Sequence, residues 1–138
     1  MASCRMRFTC AVGVAVLAML PSSPVSLAAE DPVAAAELAA KAGAATPEGK
    51  KFQDALEQPF AREHAGTIQR CARETKRPEL TDFHLLLRVD GAGVVDQALV
   101  KPSTNVAVCV QKSMVGWKTP PPPHAGFWLD IGVRLARK

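Results

Sequence analysis

The spacing of the apolar residues changes at Pro78, and this change constrains the fold more than any other feature of the chain. Before Pro78, one stripe of a predicted helix contains Phe52, Leu56, Phe60, His64, Ile68 and Cys71. After it, apolar and polar residues alternate, which is the period of a β-strand with one buried face. A helical segment therefore precedes a predicted sheet.

The predicted helix begins at Thr46, a capping residue, with Pro47 at its first helical position. Pro59 and Gly66 interrupt the stripe, so we expect a kink or two shorter helices rather than one rod. The helix is expected to end near Arg77, because the residue before a proline avoids helical geometry.

The second half of the chain predicts a hairpin, a helix and a closing strand. Residues 83–89 and 94–100 form the hairpin around the turn at 90–93. Ser103 or Thr104 can then cap a helix whose inward residues are Val106, Cys109, Val110, Met114 and Trp117. After the proline run at 120–123, a third strand places on one face Phe127, Leu129, Ile131, Val133 and Leu135. The predicted fold class is α+β, a small antiparallel three-stranded sheet with helices packed on it, in the order α-β-β-α-β.

Residues 1–28 have the features of a removable export signal. Arg5 and Arg7 precede an unbroken apolar run at 11–20, and residues 26–28 form a small-residue cleavage site. The apolar stretch is shorter than the ~20 residues that span a bilayer, so a retained membrane anchor is the weaker alternative. We expect cleavage after Ala28 and a periplasmic protein.

Export divides the four cysteines. Cys4 and Cys10 leave with the signal, whereas Cys71 and Cys109 remain. Two lone cysteines in an oxidising compartment usually pair, so we expect one disulfide bond between them. The alternative, a thiol nucleophile at Cys71 assisted by a histidine, is less favoured.

The mature chain is expected to have two parts. Residues 29–46 are rich in alanine and have few large apolar side chains to bury, so they predict a weakly ordered leader. Residues 47–138 are expected to form the single domain.

Composition and motifs argue against several classes of function. Without Arg5 and Arg7, the 17 basic residues of the chain fall to 15 against 13 acidic ones, too small an excess to indicate nucleic acid or an acidic membrane surface. His64, His84 and His124 lie in three predicted elements without metal-ligand spacing, and a metal carrier built on them is a minor alternative. Nucleophile, phosphate-loop and Cys-x-x-Cys motifs are missing. We expect no enzymatic activity, no metal and no cofactor.

The order of several segments resembles the C-terminal domain shared by the TonB and TolA energy-transducer proteins, above all the small TonB-like variant of AgmX/PglI-type bacterial proteins. These segments are IQRC at 68–71, FHLLLRVDGAGVV at 83–95, NVAVCVQKSMVGW at 105–117, KTPPPP at 118–123 and FWLDIGVRL at 127–135. The resemblance implies one antiparallel sheet with helices covering a face. It also implies a disulfide between a cysteine near the first strand and one in the second helix.

The resemblance further implies a protein-interaction module that binds an envelope protein or peptide by strand addition at a sheet edge. Full transducers keep a membrane anchor and a long spacer, whereas here the anchor is expected to be cleaved and the spacer is short. The likeness therefore supports the fold better than energy transduction. A stand-alone structural envelope protein of the same fold is the alternative.

The contact surface is expected near the closing strand. Trp128, Asp130 and Arg134 alternate out of phase with the inward residues and should point away from the core. An outward tryptophan beside a charge pair suits a peptide partner, because its ring offers apolar area next to backbone hydrogen-bonding groups. The alternative is that the N-terminal helical segment covers Trp128.

Overall fold

The described part of the protein is a three-stranded antiparallel sheet with helices on both faces. The structure, a computed structural model, describes residues 31–136, and the predicted signal peptide lies outside them. The elements are, in chain order, α1 (Pro32–Ala44), α2 (Pro47–Glu74), β1 (Phe83–Val89), β2 (Val95–Lys101), α3 (Asn105–Lys112) and β3 (Phe127–Val133). The α+β class and the predicted order from α2 to β3 are confirmed, and α1 precedes them.

The first strand of the chain, β1, lies in the middle of the sheet. The strand order is β2-β1-β3, and both neighbours run antiparallel to β1. Leu85 lies opposite Val100 on one side and Ile131 on the other. The alternation that predicted the strands therefore places one apolar row across all three of them.

This apolar row packs against α2 and α3. The shared core contains Phe52, Leu56, Phe60, Cys71, Phe83, Leu85, Leu87, Val89, Val106, Val110, Met114, Trp117, Phe127 and Leu129, among others. Thr104 caps α3 as predicted, because its hydroxyl accepts the backbone N–H of Ala107 at 3.2 Å. The long helix α2 continues through Pro59 as one element and ends at Glu74, so the predicted alternative of two shorter helices is wrong and the end lies slightly before the predicted Arg77. Buried residues on both sides of Pro59 hold the helix to the same core.

The opposite face of the sheet is covered by α1, which differs from the expected weakly ordered leader at 29–46. Ala36 and Ala40 of α1 are buried against Leu86, with Leu99 and Trp128 packed beside them. Alanine side chains let the helix approach the sheet closely, and the sheet supplies the large apolar side chains. The helices therefore cover both faces, not one.

A tight turn connects α1 to α2. The hydroxyl of Thr46 accepts the N–H of Gly49 at 3.0 Å and donates to the carbonyl of Gly43 at 2.8 Å. A Cβ atom at Gly49 would lie 1.9 Å from that carbonyl oxygen. The absence of a side chain at Gly49 is therefore what lets the two helices meet.

A disulfide bond between Cys71 and Cys109 joins the end of α2 to α3, with 5.8 Å between the Cα atoms. Cys71 is fully buried and Cys109 is half-buried. The bond connects the two helices that cover the same face of the sheet.

We predict that replacing both cysteines with alanine lowers the free energy of unfolding by roughly 3–4 kcal/mol, because the bond closes a loop between residues 38 positions apart. Denaturant unfolding of residues 29–138 measures the change. Thiol labelling of the denatured, unreduced protein is the companion assay and should find no free cysteine. Two labelled thiols, or an unchanged unfolding midpoint in the variant, would contradict the prediction.

Candidate functional site

The two edges of the sheet differ in what occupies them. Along the outer side of β2, the N–H of Val95 donates to the carbonyl of Trp117 at 2.9 Å, and the N–H of Gly116 donates to the carbonyl of Val95 at 2.8 Å. Further along, the side-chain amide of Gln111 donates to the carbonyl of Ala98 at 2.7 Å. The outer side of β2 is thus bonded to the chain itself at Val95 and at the carbonyl of Ala98.

The outer side of β3 is open within the described residues. Its one neighbour in the sheet is β1, and no backbone hydrogen bond from residues 31–136 reaches its other side. An exposed row of N–H and C=O groups can pair with another extended segment. β3 is therefore the edge at which strand addition is geometrically possible.

A groove of about 460 Å³ runs between this edge and α2. Its floor is apolar and is formed by Leu56, Phe60, Ile68, Leu129 and Ile131. Two charged residues, Glu57 and Arg134, also line it. Ile131 is only half-buried, although its neighbours Leu129 and Val133 on the same face of β3 are buried. The groove thus offers an apolar strip directly beside unpaired backbone groups.

Two of the three predicted contact residues, Trp128 and Asp130, alternate onto the same face of β3, the face that α1 covers. Trp128 is half-buried and packs on the face that α1 covers, with Val33, Ala36 and Ala40. This arrangement corresponds to the alternative in which the N-terminal helical segment covers the ring. The Asp130 side chain pairs with Nδ1 of His84 at 2.7 Å on that face, whereas Arg134, which follows the end of β3, lines the groove.

The sequence predicts Ile131 and the α2 stripe to be core residues and does not indicate that they line a groove. The pattern does place them on inward faces. It does not indicate that β3 is an edge, because strand order depends on how the elements pair in space. The out-of-phase position of Trp128 does indicate a contact, but the contact is with the second helical layer, α1.

Next to the groove, α2 contacts the segment that follows α3. The indole Nε1 of Trp117 donates to the carboxylate of Glu63 at 2.8 Å. The ring of His64 packs against Phe60 and Trp117, with centroid distances of 5.1 Å and 4.9 Å. Burial lowers the pKa of His64 below its ordinary value, and the nearby Glu63 carboxylate opposes this effect.

No three His, Cys, Asp or Glu side chains of residues 31–136 are grouped closely enough to hold a metal ion. None of the three described helices has the combination of length and apolar character needed to cross a bilayer.

Comparison of the chain with protein-family models, with curated proteins and with solved structures finds no match. The geometry of the β3 edge and its groove is therefore the basis for assigning a function.

We predict that Trp128→Ala lowers the free energy of unfolding by roughly 1–3 kcal/mol, because a half-buried aromatic ring is removed from the contact between α1 and the sheet. The control is Val115→Ala, at a side chain that is 58% exposed, where we expect a change within about 0.5 kcal/mol. Thermal and denaturant unfolding measure both. If Trp128→Ala is as stable as the control, the ring does not hold α1 to the sheet, and Trp128 would again be a candidate for contact with a partner.

Proposed function

We propose that this chain is a non-enzymatic interaction module of the bacterial cell envelope that binds an extended segment of a partner protein by strand addition to β3. The observation that carries the proposal is the asymmetry of the sheet. The β2 edge is bonded to residues 116–117 and to Gln111, whereas the β3 edge has no partner within residues 31–136.

The chemistry of the groove supports an extended peptide as the ligand. Backbone pairing with β3 supplies hydrogen bonds whatever the ligand sequence, and alternate side chains of an added strand face the same side of the sheet. On the α2 side these side chains would meet Leu56, Phe60 and Ile131. The ligand is therefore expected to have apolar residues at every second position.

The resemblance to TonB and TolA C-terminal domains is consistent with this proposal and adds the periplasm as the compartment. The Cys71–Cys109 bond fits an oxidising compartment. A structural envelope protein of the same fold, without a peptide ligand, is the competing proposal. Binding at β3 is what distinguishes the two.

We predict that Ile131→Lys reduces capture of the partner at least tenfold, because a charge pointing inward from an edge strand blocks the apolar groove. The half-buried position lets the lysine stem lie along the groove with its ammonium group in water, so the fold should persist. The measurement is pull-down from an envelope extract with immobilised residues 29–138, followed by cross-linking mass spectrometry to locate the contact.

The matched control is Leu38→Lys, the same type of substitution at a side chain that is 70% exposed on α1. It should leave capture unchanged. Equal capture by both variants at equal melting temperature, or cross-links on a face other than β3 and α2, would contradict strand addition. Failure of the unmodified chain to capture any envelope protein would favour the structural alternative.

A further inference from the structure

His64 lies inside the contact between α2 and the segment after α3. Its ring is perpendicular to that of Trp117, at an interplanar angle of 89°, and also touches Phe60. Its Nε2 atom is buried and has no hydrogen-bond partner among the described residues. A neutral ring nitrogen can remain there at modest cost, but protonation would create a buried charged donor without an acceptor.

The charged groups around the ring determine which hydrogen-bond acceptors a protonated His64 can reach. On α2 the charged neighbour is Glu63, whose carboxylate already accepts the indole N–H of Trp117. In the facing segment Trp117 is uncharged, and the backbone of Lys118, the next residue, forms a bridge with Val94. A protonated His64 must therefore turn toward water or take the Glu63 carboxylate from Trp117. Either movement removes a contact between Trp117 and α2.

We propose that His64 is a pH-sensitive latch that holds the middle of α2 against Trp117 when neutral and releases it when protonated. Pro59 lies just before the latched turn and has no N–H to bond the carbonyl of Ala55, so α2 is held there by one hydrogen bond fewer. Phe60 belongs both to the latch and to the floor of the groove. Release of the latch therefore loosens the groove, a consequence that rests on the proposed function.

The direction of the pH dependence follows from the burial of His64. Burial lowers the pKa of His64 in the folded protein below the ordinary value of 6.5. As the pH falls, this histidine therefore binds a proton in the unfolded chain before it does so in the folded protein. The contribution of the latch to stability is complete above about pH 6.5 and is lost as the pH falls through the lower pKa of the folded state.

The test uses the fluorescence of Trp117 in residues 29–138 carrying Trp128→Phe, so that Trp117 is the only tryptophan. Between pH 7.5 and 5 we expect the emission to shift to longer wavelength as the indole becomes solvated, with a midpoint below pH 6.5. Adding His64→Phe, which keeps a ring but cannot titrate, should abolish the shift. Adding His84→Gln or His124→Gln instead should leave it unchanged.

An emission that is constant over this range, or a shift that survives His64→Phe, would overturn the latch. The effect on the groove is measured separately as hydrogen-exchange protection factors of the α2 amides near Phe60, corrected for intrinsic exchange. We expect a fall of at least tenfold at pH 5 relative to pH 7.5, and none in the His64→Phe protein. Unchanged protection would refute the coupling between His64 and the groove. Neither assay needs a partner protein, so failure of the latch and failure of the proposed strand addition can be told apart.

Discussion

The burial of β1 on both faces is the constraint on which the rest of the structure depends. Leu85, Leu86 and Leu87 are consecutive in the strand and all three are fully buried. Because neighbouring side chains of a strand point to opposite faces, both faces of the sheet require a cover. The helices α2 and α3 provide one layer and α1 provides the other. A small sheet with one bare face would expose Leu86, Leu99 and Trp128 to water.

The same arrangement accounts for the difference between the two edges. The chain leaves β2 through α3 and returns beside it at residues 116–118, so it pairs with its own β2 edge before it crosses to form β3. The disulfide and the contact of Trp117 with Glu63 and His64 hold α2 over the core, and this position leaves a groove along β3. The pairing at the start of the β2 edge thus follows from the order of the elements along the chain, whereas β3 has no second neighbour within residues 31–136.

The elements after Pro78 were predictable because their apolar periodicity is strong and their turns contain the expected residues. The helix α1 was not, since alanines give little periodic signal and its buried face consists of Ala36 and Ala40. The evidence for it lay elsewhere, in Leu86 on the polar row of β1 and in Trp128 out of phase on β3. The free edge and the partner-free Nε2 of His64 depend on strand order and on contacts between distant segments, which a pattern along one chain does not encode.

Amide hydrogen exchange, resolved by residue with NMR on residues 29–138, tests the central claim that β3 is an open edge, whereas the edge of β2 is bonded to the chain itself at Val95 and Ala98. An edge strand bonds alternate amides to its one neighbour and leaves the others to solvent. We therefore expect protection to alternate along β3, to be continuous along β1, and to include Val95 on β2, whose N–H is bonded to Trp117. Uniform strong protection along the whole of β3 would contradict the account, because it would mean that this edge is already paired.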